Sequence, residues 1–339
     1  MRSNCGFVIP AKAGIQKIPR NYRRAILAAA LAACAATLTA CWGGVWRPEA
    51  PAILRDYNKR GTTFLTAGDF DAALRSFNQA LKEAQGKDDA MSEGYAYLNL
   101  ARLFLSVADL QNAGAFTAKA HVIFERMGNR EELAHAKLYF GSIARQAGKL
   151  DESEKHARDA LEIFLELDKP EAVAAAYNNL ALVLIAQGKL KEAEDALEEA
   201  EDFNGDDKDR RHTSAIYSAR ADLELSRKNL DKAVQWLAKA LEHDRKMQNV
   251  YAVANDLARL AAALEKAPDP DTGMIADCYL RAFRVNMTMK LAARAEKDLQ
   301  NLSRILTPLG RADELKLYVE QLSALKDELE RRGSPLSAP

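Results

Sequence analysis

Small and large apolar residues return every 40 positions along this chain, with polar residues filling the space between them. Alanine stands at positions 80, 120, 160, 200 and 240. A second small register holds Gly61, Ala101, Gly141, Ala181, Ala221 and Ala261, and a third holds Ala73, Ala113, Ser153, Ala193 and Ala233. Phe70, Leu110, Leu150, Leu190 and Leu230 keep the same beat. Within the first copy, apolar positions recur at helical spacing on both sides of one break, Ala67-Gly68-Asp69. The break repeats as Ala147-Gly148-Lys149 and Gln187-Gly188-Lys189. Glycine suits the left-handed residue that ends a helix. Each unit is therefore predicted to be a helix, a tight turn and a second helix. A fixed period of this size predicts a solenoid, in which each unit buries its apolar face only against its neighbours. The small residues mark points where two antiparallel helices approach too closely for a bulky side chain.

The regular repeats run over residues 53–265. Residues 266–331 read as irregular C-terminal repeats and a cap. There Pro268-Asp269-Pro270-Asp271-Thr272-Gly273 predicts a loop, followed by a helix from Ile275 to Met289. A last atypical pair is predicted at Leu291–Leu306 and Ala312–Arg331, separated by Thr307-Pro308-Leu309-Gly310. The tail over 332–339, rich in proline and serine, is predicted to be disordered. The expected fold is all-α: a superhelical solenoid of six to seven helical hairpins.

Tyr57-x2-Arg60-Gly61-x2-Phe64 followed by Ala73-x3-Phe77 resembles the tetratricopeptide repeat, as does Tyr177-x2-Leu180-Ala181-x2-Leu184 with Ala193-x3-Leu197. The usual unit is about 34 residues. The 40-residue period here resembles the subclass found in kinesin light chains and related scaffolds. That resemblance implies a curved stack whose first helices line an inner face and bind an extended peptide or another protein. It places Asn99 and Asn179 on that face, where the subclass uses asparagines to hydrogen-bond a peptide backbone. An amide both donates and accepts, which suits a peptide group. Tyr139 and Ala219 interrupt the asparagine series. Neighbouring first-helix positions add Arg55, Asn58, Tyr95, Arg102, His135 and Asn178. The alternative is that these polar side chains simply face solvent.

Residues 25–40 form a short apolar, alanine-rich run preceded by Arg20, Arg23 and Arg24 and ending Leu38-Thr39-Ala40-Cys41. That arrangement predicts a secretory signal over 1–40. Its ending resembles the bacterial lipobox, which implies a lipid on Cys41, a tether over 41–52 and, with Trp42 next, an outer-membrane lipoprotein facing the periplasm. Ser3 to Gln16 resembles a translated dispersed DNA repeat, so the first 20 residues or so read as an early start. Such an architecture resembles the tetratricopeptide pilotins of type IV pilus secretins and the lipoprotein adaptors of peptidoglycan enzymes. A cytosolic regulatory scaffold is the alternative if residues 1–40 are not a signal.

Charge narrows the partner. The chain carries 48 basic and 48 acidic side chains, and 1–40 holds six of the basic ones and no acid. Removing that segment leaves a net charge of −6, which argues against nucleic acid, because phosphate binding needs a basic patch. The five histidines lack metal-ligand spacing, and no nucleophile elbow, phosphate loop or paired-cysteine zinc pattern is present. Asp206-Asp207-Lys208-Asp209 reads as a solvated turn, and Cys278 as a buried thiol. The expectation is a binding module with no catalytic residues, no metal and no cofactor; an enzyme is the remote alternative.

Overall fold

A computed structural model describes residues 52–205 and 212–332. The segment 1–40, Cys41, the tether, Asp206 to Asp209 and the tail lie outside the described residues, as does the side chain of Arg55. Fourteen α-helices follow one another in the described part. They are α1 Ala52–Ala67, α2 Phe70–Gly86, α3 Ala90–Ser106, α4 Leu110–Arg126, α5 Arg130–Gln146, α6 Leu150–Glu166 and α7 Pro170–Ala186. The series continues with α8 Leu190–Asn204, α9 Thr213–Ser226, α10 Leu230–Lys246, α11 Val250–Leu264, α12 Thr272–Thr288, α13 Ala292–Leu306 and α14 Lys316–Arg332. Odd and even helices pair as antiparallel hairpins, giving the solenoid that the period predicts.

The turns are more regular than the glycines announce. Left-handed residues occur at Gly68, Asp88, Ala108, Gly128, Gly148, Asp168, Gly188, Lys228 and Gln248, every 20 positions apart from one place outside the described residues. The turn within a unit and the turn between units therefore share one geometry. Each closes with an amide reaching the carbonyl five residues back, as from Asp69 to Phe64 at 2.8 Å and from Lys149 to Ala144 at 2.8 Å. The next residue often starts the following helix. Asp69, Asp89, Asp109, Asn129 and Asn249 each accept the backbone amide three positions on. The same chemistry corrects one expectation. Asp271 accepts the amides of Gly273 and Met274, so α12 takes in Thr272 and Gly273 instead of starting after them.

The alanines of the 80-to-240 register are fully buried, and so are Ala73, Ala113, Ser153, Ala193 and Ala233. Contacts across the hairpins show why small residues are needed. A Cβ on Gly61 would lie 2.3 Å from a ring carbon of Phe77, and one on Gly94 would lie 2.6 Å from Phe124. Cys278 is a buried free thiol whose pKa burial raises.

Curvature follows from which helices meet. Successive first helices touch: α1 on α3, α3 on α5, α5 on α7 and α7 on α9. Second helices pack instead on the first helix of the next unit, so the first helices occupy the inner radius. The stack then returns on itself, with α11 touching α1. Tyr251 Oη donates to the Ser106 carbonyl at 2.7 Å, and Arg294 donates to the same oxygen at 2.9 Å. That oxygen belongs to the last turn of α3, whose carbonyls have no partner within the helix. Arg294 also sits 4.6 Å over the Tyr251 ring, and Phe70 meets that ring edge-on at 5.8 Å. Met289 fills the space beside Gly68, where a Cβ would lie 2.4 Å from its sulfur.

Candidate functional site: the inner face

Two registers of the first helices define the inner face. One holds Lys59, Asn99, Tyr139, Asn179, Ala219 and Arg259, and the other Thr62, Arg102, Ser142, Leu182, Asp222 and Ala262. The registers are three residues apart, so they share a helix face. Their polar groups bridge neighbouring units. Asn99 Nδ2 donates to Asn58 Oδ1 at 3.0 Å, and Arg102 donates to Thr62 Oγ1 at 2.9 Å. Ser142 Oγ donates to Asn179 Oδ1 at 3.1 Å, while Asn179 Nδ2 turns back to the Ala175 carbonyl at 2.9 Å. Arg259 donates to the Ser218 carbonyl at 3.0 Å and pairs closely with Asp222. The asparagines are thus partly committed inside the protein. Asn99 keeps its carbonyl oxygen for a further donor, and Asn179 has both ends engaged.

The electrostatics are uneven along this face. Burial raises the Tyr139 phenol, with the Arg102 charge opposing that shift. Burial lowers the Arg145 guanidinium, and Asp222 is the charge that counters it. Burial also raises Glu132, which accepts the Tyr95 hydroxyl at 2.8 Å. His135 is lowered by burial and packs against Phe164 with ring centres 4.8 Å apart. Between α9, α10 and α11, Asp244 and Asp256 are both buried, and Ser214 hydrogen-bonds Asp244. Ser218 donates to Asp256 at 3.3 Å. Burial, then the charge of Asp244, raises Asp256.

The structure places Asn58, Asn99, Arg102 and Asn179 together at the seams between successive first helices. Tyr95 stands near the start of α3, partly exposed and bonded to Glu132. Asn178 is a correction: it is buried between the fully buried Ala174 and Ala181, so it faces the packed side of α7 and not the groove. Arg145 was missed by sequence reasoning. Its register reads Leu65, Leu105, Arg145, Ile185, Leu225 and Glu265, so one cation interrupts an apolar series. That interruption is the signal that marks it. Among the described residues, no group of three or more His, Cys, Asp or Glu is arranged to hold a metal ion. No helix among them is long and apolar enough to cross a membrane.

The sequence model of the MalT-like TPR region matches residues 57–334. The chain belongs to the MalT-like TPR family. Solved structures share the fold of this MalT-like TPR stack at low identity. A Rap protein complexed with competence and sporulation factor superposes with a TM-score of 0.61 at 15% identity, over 82% of this chain and 76% of that one. The Rap conjugation gene regulator of plasmid pLS20, in complex with the Phr* peptide, gives 0.59 at 14% identity, over 93% and 87%. A curated relative, the 43 kDa receptor-associated protein of the synapse from Tetronarce californica, is 26% identical over 114 residues. That match covers 32% of this chain and spans only 28% of the relative's length.

Proposed function

We propose that this MalT-like TPR chain is a non-catalytic scaffold that binds an extended peptide segment of another protein along its inner face. The observation that carries this reading is the set of polar side chains at the first-helix seams, where Asn58 and Thr62 meet Asn99 and Arg102 between the first two units and Ser142 meets Asn179 between the third and fourth. Such groups serve a peptide backbone and a charged side chain on one helix face. Support comes from the fold, which is shared with a regulator solved with a bound peptide. On the sequence Leu38-Thr39-Ala40-Cys41, the scaffold is further proposed to be lipidated on Cys41 and held at the periplasmic face of the outer membrane. Its partner would then belong to envelope machinery, such as a type IV pilus secretin or a peptidoglycan enzyme.

Two measurements test this. Wild type should label with a palmitate analogue and Cys41→Ala should not; equal labelling would remove the lipid anchor from the proposal. Crosslinking in intact cells should then join the inner face to one protein through a photoreactive residue at position 102. Crosslinks arising only from positions on the second helices would move the site to the outer face.

A further inference from the structure

We infer that the cleft where the two ends of the stack meet binds a free α-amino acid with an apolar side chain, and that this ligand holds the stack closed. The cleft is built from turns and helix ends and uses none of the inner-face residues.

Three stretches far apart in the sequence enclose a volume of about 400 Å³. The turn from α1 to α2 supplies Gly68 to Asp71, the turn from α12 to α13 supplies Thr288 to Leu291, and α14 supplies Leu329. The apolar lining is Phe70, Met289, Leu291 and Leu329, all of them buried. A concave site of this size, mostly apolar with a few polar groups, suits a small molecule.

Four charged residues complete the lining, and two of them are already engaged. Asp69 accepts the Ala72 amide at 2.9 Å, and Lys290 donates to Glu328 at 3.0 Å. Asp71 and Arg75 are not: among the described residues their side chains make no hydrogen bond and no ion pair, even with each other. They stand four residues apart on one face of α2, about 6 Å along the helix axis. A simple carboxylate in the cleft would meet Asp71 as well as Arg75, and a simple amine would meet Arg75 as well as Asp71. A molecule bearing both charges satisfies both groups. An α-amino acid carries its ammonium and carboxylate on one carbon, so each can reach its opposite along α2. Charge-assisted bonds are the stronger kind, and a guanidinium offers a carboxylate two parallel donors. The side chain on the same carbon is left for the apolar lining.

The cleft exists only while the ends meet. Phe70 lines it and also meets the Tyr251 ring at 5.8 Å, a closing contact. A ligand that binds the closed stack and not the open one shifts the balance towards closure, and closure raises its affinity by the same factor.

Calorimetric titration of the full chain with L-leucine, L-methionine, L-phenylalanine and glycine tests this. At least one of the first three should bind saturably, with glycine at least tenfold weaker. The N-acetyl and amide forms of the tightest binder should each lose at least tenfold. Asp71→Asn should abolish the preference over the N-acetyl form, and Arg75→Gln the preference over the amide. Neither side chain is buried, so circular dichroism should be unchanged in both. Tyr251→Phe with Arg294→Ala, neither of which lines the cleft, should weaken binding at least fivefold. No saturable binding by any of the three would overturn the site, and so would binding that both single variants leave intact. Glycine binding as tightly as the others would overturn the apolar selection. The dipeptide alanyl-leucine binding more tightly than any free amino acid would assign the cleft to a chain terminus and overturn the ligand class. Unchanged affinity in the double variant would overturn the link to closure.

Discussion

Gly61→Ala tests the close approach of helices in the first unit. The new Cβ would lie 2.3, 2.5 and 2.9 Å from three ring carbons of Phe77. Phe77 is fully buried, so its ring cannot swing out into solvent without losing that burial. Overpacking of this kind costs roughly 1–3 kcal/mol, and three contacts inside van der Waals distance argue for the upper end. Alanine in place of a helical glycine returns about 1 kcal/mol. The net loss is then about 2 kcal/mol, or roughly 3–4 °C in melting temperature for a domain of this size. Gly141 is the control, because it occupies the same register two units on. A Cβ there would lie 3.4 Å from the His156 Cβ and the Ser153 carbonyl, an ordinary contact. Gly141→Ala should therefore gain up to about 1 kcal/mol. Units four and five carry Ala181 with Leu197 and Ala221 with Leu237 at this pair of registers. In a Phe77→Leu background, Gly61→Ala should lose most of its cost, a coupling that a double-mutant cycle measures. Calorimetry or circular-dichroism melts of the four variants decide the matter. Equal gains for Gly61→Ala and Gly141→Ala would refute the reasoning.

Other outcomes follow from the turns, the buried acids and the closing contacts. Ala108 is left-handed, so Ala108→Gly should gain about 0.5–1 kcal/mol and Gly148→Ala should lose a similar amount, read from urea midpoints. Burial pushes Asp298 up to about 6, although Asn286 Nδ2 donates to it at 2.6 Å. Between about pH 4 and 6 the folded chain keeps that proton while the unfolded chain releases it, so stability should fall by about 3 kcal/mol as pH rises through this window. Asp256, raised in the same direction, adds to the fall, and Asp298→Asn should flatten the curve; stability that climbs from pH 4 to 7 would contradict the assignment. Tyr251→Phe together with Arg294→Ala leaves the Ser106 carbonyl without either donor, at about 1–3 kcal/mol. Hydrogen exchange should then quicken in α1 and at the end of α3 as well as in α11; quickening in α11 alone would mean that the stack does not close there.

The solenoid was legible because close approach demands small residues, and those keep a fixed period whatever the surface does. Gly61 and Ala160 are visible in the sequence for that reason. The 20-residue beat of the turns was only half visible. Asp88, Ala108, Asp168, Lys228 and Gln248 adopt the left-handed conformation without being glycine, because the amide-to-carbonyl closure of each turn holds them there. The polar inner-face residues were located by register, yet their mutual bonding was not. Whether Asn99 faces a ligand or Asn58 depends on the spacing between helices, which one chain position does not encode. Asn178 was misplaced because a helix turns about 100° per residue, so the neighbour of a groove residue points into the core. Arg145 had a signal, a cation in an apolar register, that counting motifs passes over. The closure left no signal: Tyr251 and Arg294 meet Ser106 across 145 and 188 residues, outside any repeat.

That last contact bears on the copy number of the units. An open stack tolerates gain or loss of a unit, since each meets only its neighbours. Here the carbonyl of Ser106 is served by donors 145 and 188 residues downstream. Inserting one more 40-residue hairpin between them would carry Tyr251 and Arg294 past that oxygen by the width of a helix pair, roughly 10 Å. Deleting one would leave them short by the same amount. Phe70 and Gly68 would lose Tyr251 and Met289 together. Duplication within this stretch of the gene is therefore not neutral in the way it is for other repeat arrays, and its length is set by the requirement that the two ends meet.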